Sequence, residues 1–350
     1  MEKLKELIQQ IHVSEGGHFM VNEETLFAEY GRKNDQQSSL AIKVLSIFGG
    51  ILASLTFLGF LAIAGIYDST TGLLVVGITF LILAIWLNRL YQKVLIDTFS
   101  ICVYLIGISL IIFALADLKV NEDQIAQLCI FIALCCLFLS KSYMLSFISM
   151  LIVSICFLVL IISNDVYDFI HLYVWVYACL LVYFFLNEAD LIKYKLYDPV
   201  RVGLLFSLLF GLIAIGKEGL MPINPDYIWV SSLVSIISIL YLVGKIVALM
   251  EADSLKFKGW VYLLTTAALL PTFFAPSISG ALLIMLLCFL VNYKTGFAVG
   301  IIALVYFVAQ YYYDLNFTLL TKSIILFSSG IVLLLFYLFL TKKFNAHEKV

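Results

Sequence analysis

Charged side chains are scarce in this chain: Asp, Glu, Lys and Arg make up 13% of its 350 residues, where a soluble domain carries about a quarter. That deficit excludes a water-solvated globule. Cysteine chemistry is missing in a different sense. All seven cysteines (Cys102, Cys129, Cys135, Cys136, Cys156, Cys179 and Cys288) lie inside apolar runs, with no CxxC pair and none in a loop. They read as small hydrophobes, which excludes a disulfide framework. The four histidines (His12, His18, His171 and His347) are scattered, so no metal-ligand spacing exists. Residues 1–40 lack the apolar core of a signal peptide, and the first apolar segment is expected to serve as its own insertion signal. HExxH, paired mid-membrane Asp and Ser/Lys dyads are also missing. No enzymatic activity, catalytic residue, metal or cofactor is therefore expected.

What the chain has instead is apolar length. Hydrophobic residues reach 63% and the mean hydropathy is +1.08. Twelve apolar segments follow one another: Val44 to Ile66, Gly72 to Leu87, Ile96 to Ala116, Ile125 to Leu139, Met144 to Ser163 and Phe169 to Leu186. The second half adds Val202 to Gly216, Tyr227 to Leu249, Trp260 to Ala275, Ile278 to Val291, Thr295 to Tyr312 and Thr318 to Leu340. Such runs predict an all-α, polytopic transmembrane bundle of about 12 spans. Several cover only about 14 to 16 residues, short of the roughly 20 that cross a hydrocarbon core. Pro271 and Pro276 break one pair, which leaves either two spans or two re-entrant half-helices there.

The basic residues are distributed with a strong bias. Eighteen of the twenty-one Lys and Arg fall at the head, at alternate breaks and at the tail, and only Lys119, Lys217 and Lys322 fall in the opposite breaks. The positive-inside rule then puts both termini in the cytoplasm, as in a bacterial-style polytopic membrane protein. The domains expected are a short cytoplasmic helical head (1–42), a transmembrane domain (43–341) and a cytoplasmic tail (342–350). Leu4, Leu7, Ile8 and Ile11 form an amphipathic stripe in the head, and Asn22 can cap a second short helix. The outer loops are short, acidic and aromatic, as an interfacial belt requires.

Span centres hold no ionisable residue, which argues against ion coupling. Lys245, Asp97, Asn88, Asn187, Asn292 and Gln310 all sit near segment ends, where a polar head can reach the interface. Small residues recur at four-residue spacing: Ser46, Gly50 and Ser54; Ser142 and Ser146; Ser231 and Ser235; Gly296 and Gly300. Such stripes let helix backbones approach, within one chain or between copies.

One stretch at the expected outer face concentrates polar and aromatic groups: Tyr311, Tyr312, Tyr313, Asp314, Thr318, Lys322 and Ser323. Asn316 or Thr318 can cap the last helix. Lys322 then sits in the first turn, where the helix dipole disfavours a cation by a few tenths to about 1 kcal/mol. Asp314 is the nearest acid in sequence to offset it. The pair reads as a structural ion pair or as a binding site for a headgroup or partner.

The same stretch, YYYDLNFTLLTKSIILFSSG, and the entry into the first span, IKVLSIFGGILASLTFLGFLA, resemble a bacterial membrane family known as domain-of-unknown-function family 4401. The resemblance implies an uncharacterised inner-membrane protein, often encoded beside a small membrane-anchored protein bearing a GDYxxLxY motif. It assigns no catalytic residue. The expected function is a non-enzymatic membrane subunit or scaffold that binds such a partner. The alternative is a facilitator or flippase for a small or lipidic molecule. The lipid bilayer is an expected partner in either case, and nucleic acid is not.

Overall fold

The computed structural model describes residues 40–65, 68–90, 94–140, 142–216, 225–249 and 255–314, with isolated positions between 318 and 334. Residues 1–39 of the expected head, the expected tail and Lys322 lie outside the described residues. Regular structure among the described residues is helical throughout. In chain order it comprises α1 (Leu40–Ile63), α2 (Thr70–Leu90), α3 (Val94–Asp117), α4 (Glu122–Leu139), α5 (Tyr143–Ser163), α6 (Phe169–Leu186) and a four-residue α7 (Glu188–Leu191). There follow α8 (Tyr197–Gly216), α9 (Trp229–Leu249), α10 (Leu255–Leu269), a 3₁₀ turn (Leu270–Phe274), α11 (Pro276–Leu290) and α12 (Lys294–Asp314). Eight of these helices are long and apolar enough to cross a membrane, and Phe48–Ile63 and Pro276–Leu290 are shorter apolar helices. The molecule is a helical membrane protein.

Most helices outrun the apolar segments that predict them, because hydrogen bonding continues past the apolar edge when the end is capped. In α4 the Asn121 side chain accepts from the Asp123 N–H at 3.4 Å, and Glu122 and Asp123 complement the dipole of the first turn. In α2 the Ser69 hydroxyl accepts from the Gly72 N–H at 3.1 Å. Helix α8 begins five residues before Val202, with Asp198 in its first turn and Pro199 where no intrahelical donor is needed.

Three helix ends share one stop signal. Lys119, Asp165 and Asn292 take positive φ of 57°, 54° and 55° two residues beyond α3, α5 and α11. After α3, the Val120 N–H reaches Leu115 O at 3.0 Å and the Lys119 N–H reaches Ala116 O at 2.9 Å. The same pair of bonds closes α5 (Val166 to Ile161, Asp165 to Ile162) and α11 (Tyr293 to Cys288, Asn292 to Phe289). This is the Schellman arrangement, built here on residues other than glycine.

The chain divides into two compact units, 1–149 and 150–350. In the first, Leu61, Leu73, Ile106, Leu110 and Ala114 join α1, α2 and α3 in one core. Helices α2 and α3 cross where Gly77 faces Gly107. A Cβ on Gly107 would lie 3.0 Å from the Gly77 carbonyl oxygen and 3.1 Å from the Leu81 nitrogen, so only a bare Cα fits. The Gly50 and Ser54 stripe packs inside the chain: the Ser54 hydroxyl lies 2.7 Å from Gly50 O and 3.2 Å from Cys102 O on α3.

In the second unit the core runs through α6, α8, α9, α11 and α12, with Ile170, Leu181, Leu208, Leu212, Ala281 and Leu287 fully covered. His171 near the start of α6 meets Ser231 near the start of α9 at 2.7 Å, so these two helices run parallel. Helix α8 runs antiparallel to α6: Tyr173 donates to Ser207 O at 2.8 Å, and Glu188, just past α6, meets Arg201 in the first turns of α8. Trp229, at the start of α9, stacks on Phe273 at 5.9 Å, and Tyr293, just past α11, reaches Arg201 at the opposite end. The proline-broken segment therefore runs to the α9 N-terminal end and back. Pro271 lies in the 3₁₀ turn and Pro276 opens α11, the positions where a missing N–H matters least. The Gly296 and Gly300 stripe also packs within the chain, against Tyr293, Cys288 and Met285.

Candidate functional site

Arg201 organises the most strongly built polar cluster among the described residues. The apolar segment that follows it suggests a loop position, yet the extra turns of α8 carry it inside, and its side chain is only 9% exposed. Nη1 lies 2.8 Å from the Glu188 carboxylate and Nη2 lies 2.9 Å from that of Asp198. The guanidinium carbon sits 4.4, 4.9 and 5.6 Å from the ring centroids of Tyr293, Tyr197 and Phe185. Arg suits this place because its planar fork bridges two acids while its faces stack on rings. Burial pushes the Tyr293 phenol above its ordinary value and the Arg201 charge pulls it down. Tyr197 closes the cluster: its hydroxyl lies 3.3 Å from Arg201 Nη1 and donates to Phe184 O at 3.3 Å.

One cation and two carboxylates leave this cluster with a net charge of −1. It ties the α6–α7 junction, the start of α8 and the α11–α12 turn to one point. The arrangement holds three elements together. The sequence signal available for it was Asp198 and Arg201 at i,i+3, on the turn that Pro199 opens.

At the opposite end of the same unit, His171 Nε2 donates to Asp226 O at 2.7 Å, and Nδ1 lies 2.7 Å from the Ser231 hydroxyl. The Asp226 N–H donates to the Asp168 carboxylate at 2.9 Å, and Trp175 Nε1 donates to Val230 O at 3.0 Å. A shallow hollow of about 240 Å³ lies between Asp165, Tyr167, Asp168 and Asp226. Among the described residues no group of three His, Cys, Asp or Glu side chains could hold a metal ion.

In the first unit, Asn88 is 1% exposed and joins several polar neighbours. Its amide nitrogen donates to Asp97 at 3.0 Å, and its oxygen accepts from the Ser140 hydroxyl at 3.1 Å and the Ser142 N–H at 3.0 Å. Residues expected merely to sit near segment ends thus form a buried joint between α2, α3 and the α4–α5 turn.

The tyrosine-rich stretch is only partly described. Tyr311, Tyr313 and Asp314 are exposed on the last turn of α12, with Tyr313 at 77%, and Tyr312 is half-buried. Gln310 beneath them donates to Gly216 O and lies 3.4 Å from the Asp314 carboxylate. The Thr318 hydroxyl accepts from the Thr321 N–H at 3.3 Å, the geometry of the expected cap, and Ser323 is helical and exposed. The expected pairing of Asp314 with Lys322 falls outside the described residues.

Among protein families, one described as "Domain of unknown function (DUF4401)" matches residues 39–343 of the chain. Comparison with curated proteins and with solved structures finds no match.

Proposed function

The chain belongs to this domain-of-unknown-function family, DUF4401, and from that premise we propose a non-enzymatic membrane subunit that binds a small membrane-anchored partner. The carrying observation is the end of α12, where Gln310 fixes the helix on Gly216 while Tyr313 and Asp314 project from it. A helix end bearing exposed aromatic rings and an acid suits a partner that brings its own aromatic and polar groups, because rings give contact area at small entropic cost. The family resemblance names the expected partner, a membrane-anchored chain with a GDYxxLxY motif. Support for a subunit over a carrier comes from the continuous core of Leu, Ala, Tyr and Ile through α6, α8, α9 and α11. The finer topology belongs to the same proposal: about 12 crossings in a bacterial inner membrane, both termini cytoplasmic, with the Arg201 end inward and the His171 end outward.

Co-purification of the native complex tests this reading. Tyr313→Ala and Asp314→Asn should each lower recovery of the partner several-fold while leaving the detergent melting temperature unchanged. Unchanged recovery, or loss of stability with the partner retained, would show that the motif is structural and sink the proposal.

A further inference from the structure

A groove lies along α6 and α9 toward their C-terminal ends, beside the α6–α7 junction that Arg201 holds. The two helices are laced at their N-terminal ends by the His171–Ser231 and Trp175–Val230 bonds. Further along, a groove of about 330 Å³ opens between them. Its apolar lining is Cys179, Val182 and Leu186, and its polar lining is Tyr183, Asn187, Ser238, Tyr241 and Lys245. Tyr183 and Tyr241 are 55% and 54% exposed, so the groove faces the surroundings of the unit and not its core.

The chemistry of this groove changes along its length. Cys179 lies near the middle of α6, where the membrane is apolar, whereas Lys245 lies one turn from the end of α9. The Lys245 ammonium sits 5.5 Å above the Tyr241 ring, and no carboxylate among the described residues lies within ion-pair distance of it. Two phenols and a cation therefore gather toward the C-terminal ends of the two helices, while Ser238 lies with Cys179 near their middle. That sequence of surfaces matches an amphiphile with a negative headgroup and an acyl chain. The volume is at the lower limit of small-ligand pockets, roughly 300 to 1,000 Å³. It suits a phosphate and the first methylenes of one chain, with the rest of the lipid in the bilayer. A cation at the interface also attracts anionic lipid by about 1 kcal/mol, or some five-fold in affinity.

We propose that this α6–α9 groove is a binding site for an anionic phospholipid, its phosphate held by Lys245 with Tyr183 and Tyr241, and its acyl chain lying along Val182 and Cys179. The site is independent of the partner reading, since it shares no residue with the end of α12.

The test uses the full chain, purified in a neutral detergent and stripped of lipid. Phosphatidylglycerol and phosphatidylcholine are titrated separately, with melting temperature and alkylation of Cys179 by N-ethylmaleimide as readouts. Phosphatidylglycerol should raise the melting temperature and slow Cys179 alkylation, and phosphatidylcholine should do neither. Lys245→Gln should weaken the half-saturating concentration about five-fold, Lys245→Arg should retain it, and Lys195→Gln, an exposed cation elsewhere, should leave it unchanged. Equal effects of the two lipids, or equal losses in Lys245→Gln and Lys195→Gln, would overturn the proposal. So would inorganic phosphate alone reproducing the thermal shift without protecting Cys179, because the site would then serve a free anion. The alkylation arm is read on the unaltered chain and so decides the matter even where a variant fails to fold.

Discussion

At the scale of single residues, Arg201 shows how a charge is kept in an apolar protein. Its positive charge is matched by Glu188 and Asp198 and its faces by three rings, so the desolvation cost of each member is offset by the others. Removing the cation alone should therefore cost more than removing one acid. Arg201→Ala should destabilise the protein by about 3 kcal/mol, the lower end of the range for breaking buried pairs, because the acids left behind are 28% and 57% exposed. Arg201→Lys should give an intermediate loss, since an ammonium keeps the charge but loses the fork and the stacking. Glu188→Gln should cost more than Asp198→Asn, following their exposure. Thermal melts in detergent rank these variants, and a silent Arg201→Ala would dismiss the cluster as a fastening point. His171 is fixed in the same manner at the other end, between Ser231 and the Asp226 carbonyl. Replacing it by Phe should cost about 1–3 kcal/mol by stranding a buried hydroxyl.

At the scale of the element, glycines divide sharply by what faces them. Gly77 and Gly107 meet at a crossing where a Cβ would press on backbone atoms that cannot move aside. Gly107→Ala should lower stability by roughly 1–3 kcal/mol, the usual penalty of overpacking. Gly59 lies in α1, where an added Cβ would meet nothing within 4 Å, so Gly59→Ala should raise stability by up to about 1 kcal/mol through helix propensity. Opposite signs in paired melts are expected, and a loss at both sites would show that propensity is not what separates them. Little of this is legible in the sequence. The four-residue stripes at Gly50 and Ser54 and at Gly296 and Gly300 stand out there because they repeat. Gly77 and Gly107 repeat with nothing, and their meaning lies in facing each other across two helices. The Schellman ends at Lys119, Asp165 and Asn292 are equally hidden, because no glycine marks them.

At the scale of the whole molecule, the proposed topology makes a direct prediction. Reporter fusions at Lys141, Lys195 and the C-terminus should read cytoplasmic, and fusions at Asp68, Asp165 and Glu218 periplasmic. A periplasmic C-terminus would remove the even number of crossings. The helical membrane class and the positions of the apolar helices were determined by the sequence alone, because burying an apolar run in lipid depends on its length and composition and not on its neighbours. The apolar segments opening at Val202 and Ile125 fall short of their helices, since caps and first-turn acids extend a helix beyond its apolar part. Only the tertiary structure decided which polar residues meet. Arg201 with Glu188, Asn88 with Ser140 and Ser142, and His171 with Ser231 are pairings across 13, 52 or 54, and 60 residues. No periodicity encodes such distances, because helix direction and packing, not spacing along the chain, bring these groups within hydrogen-bonding reach.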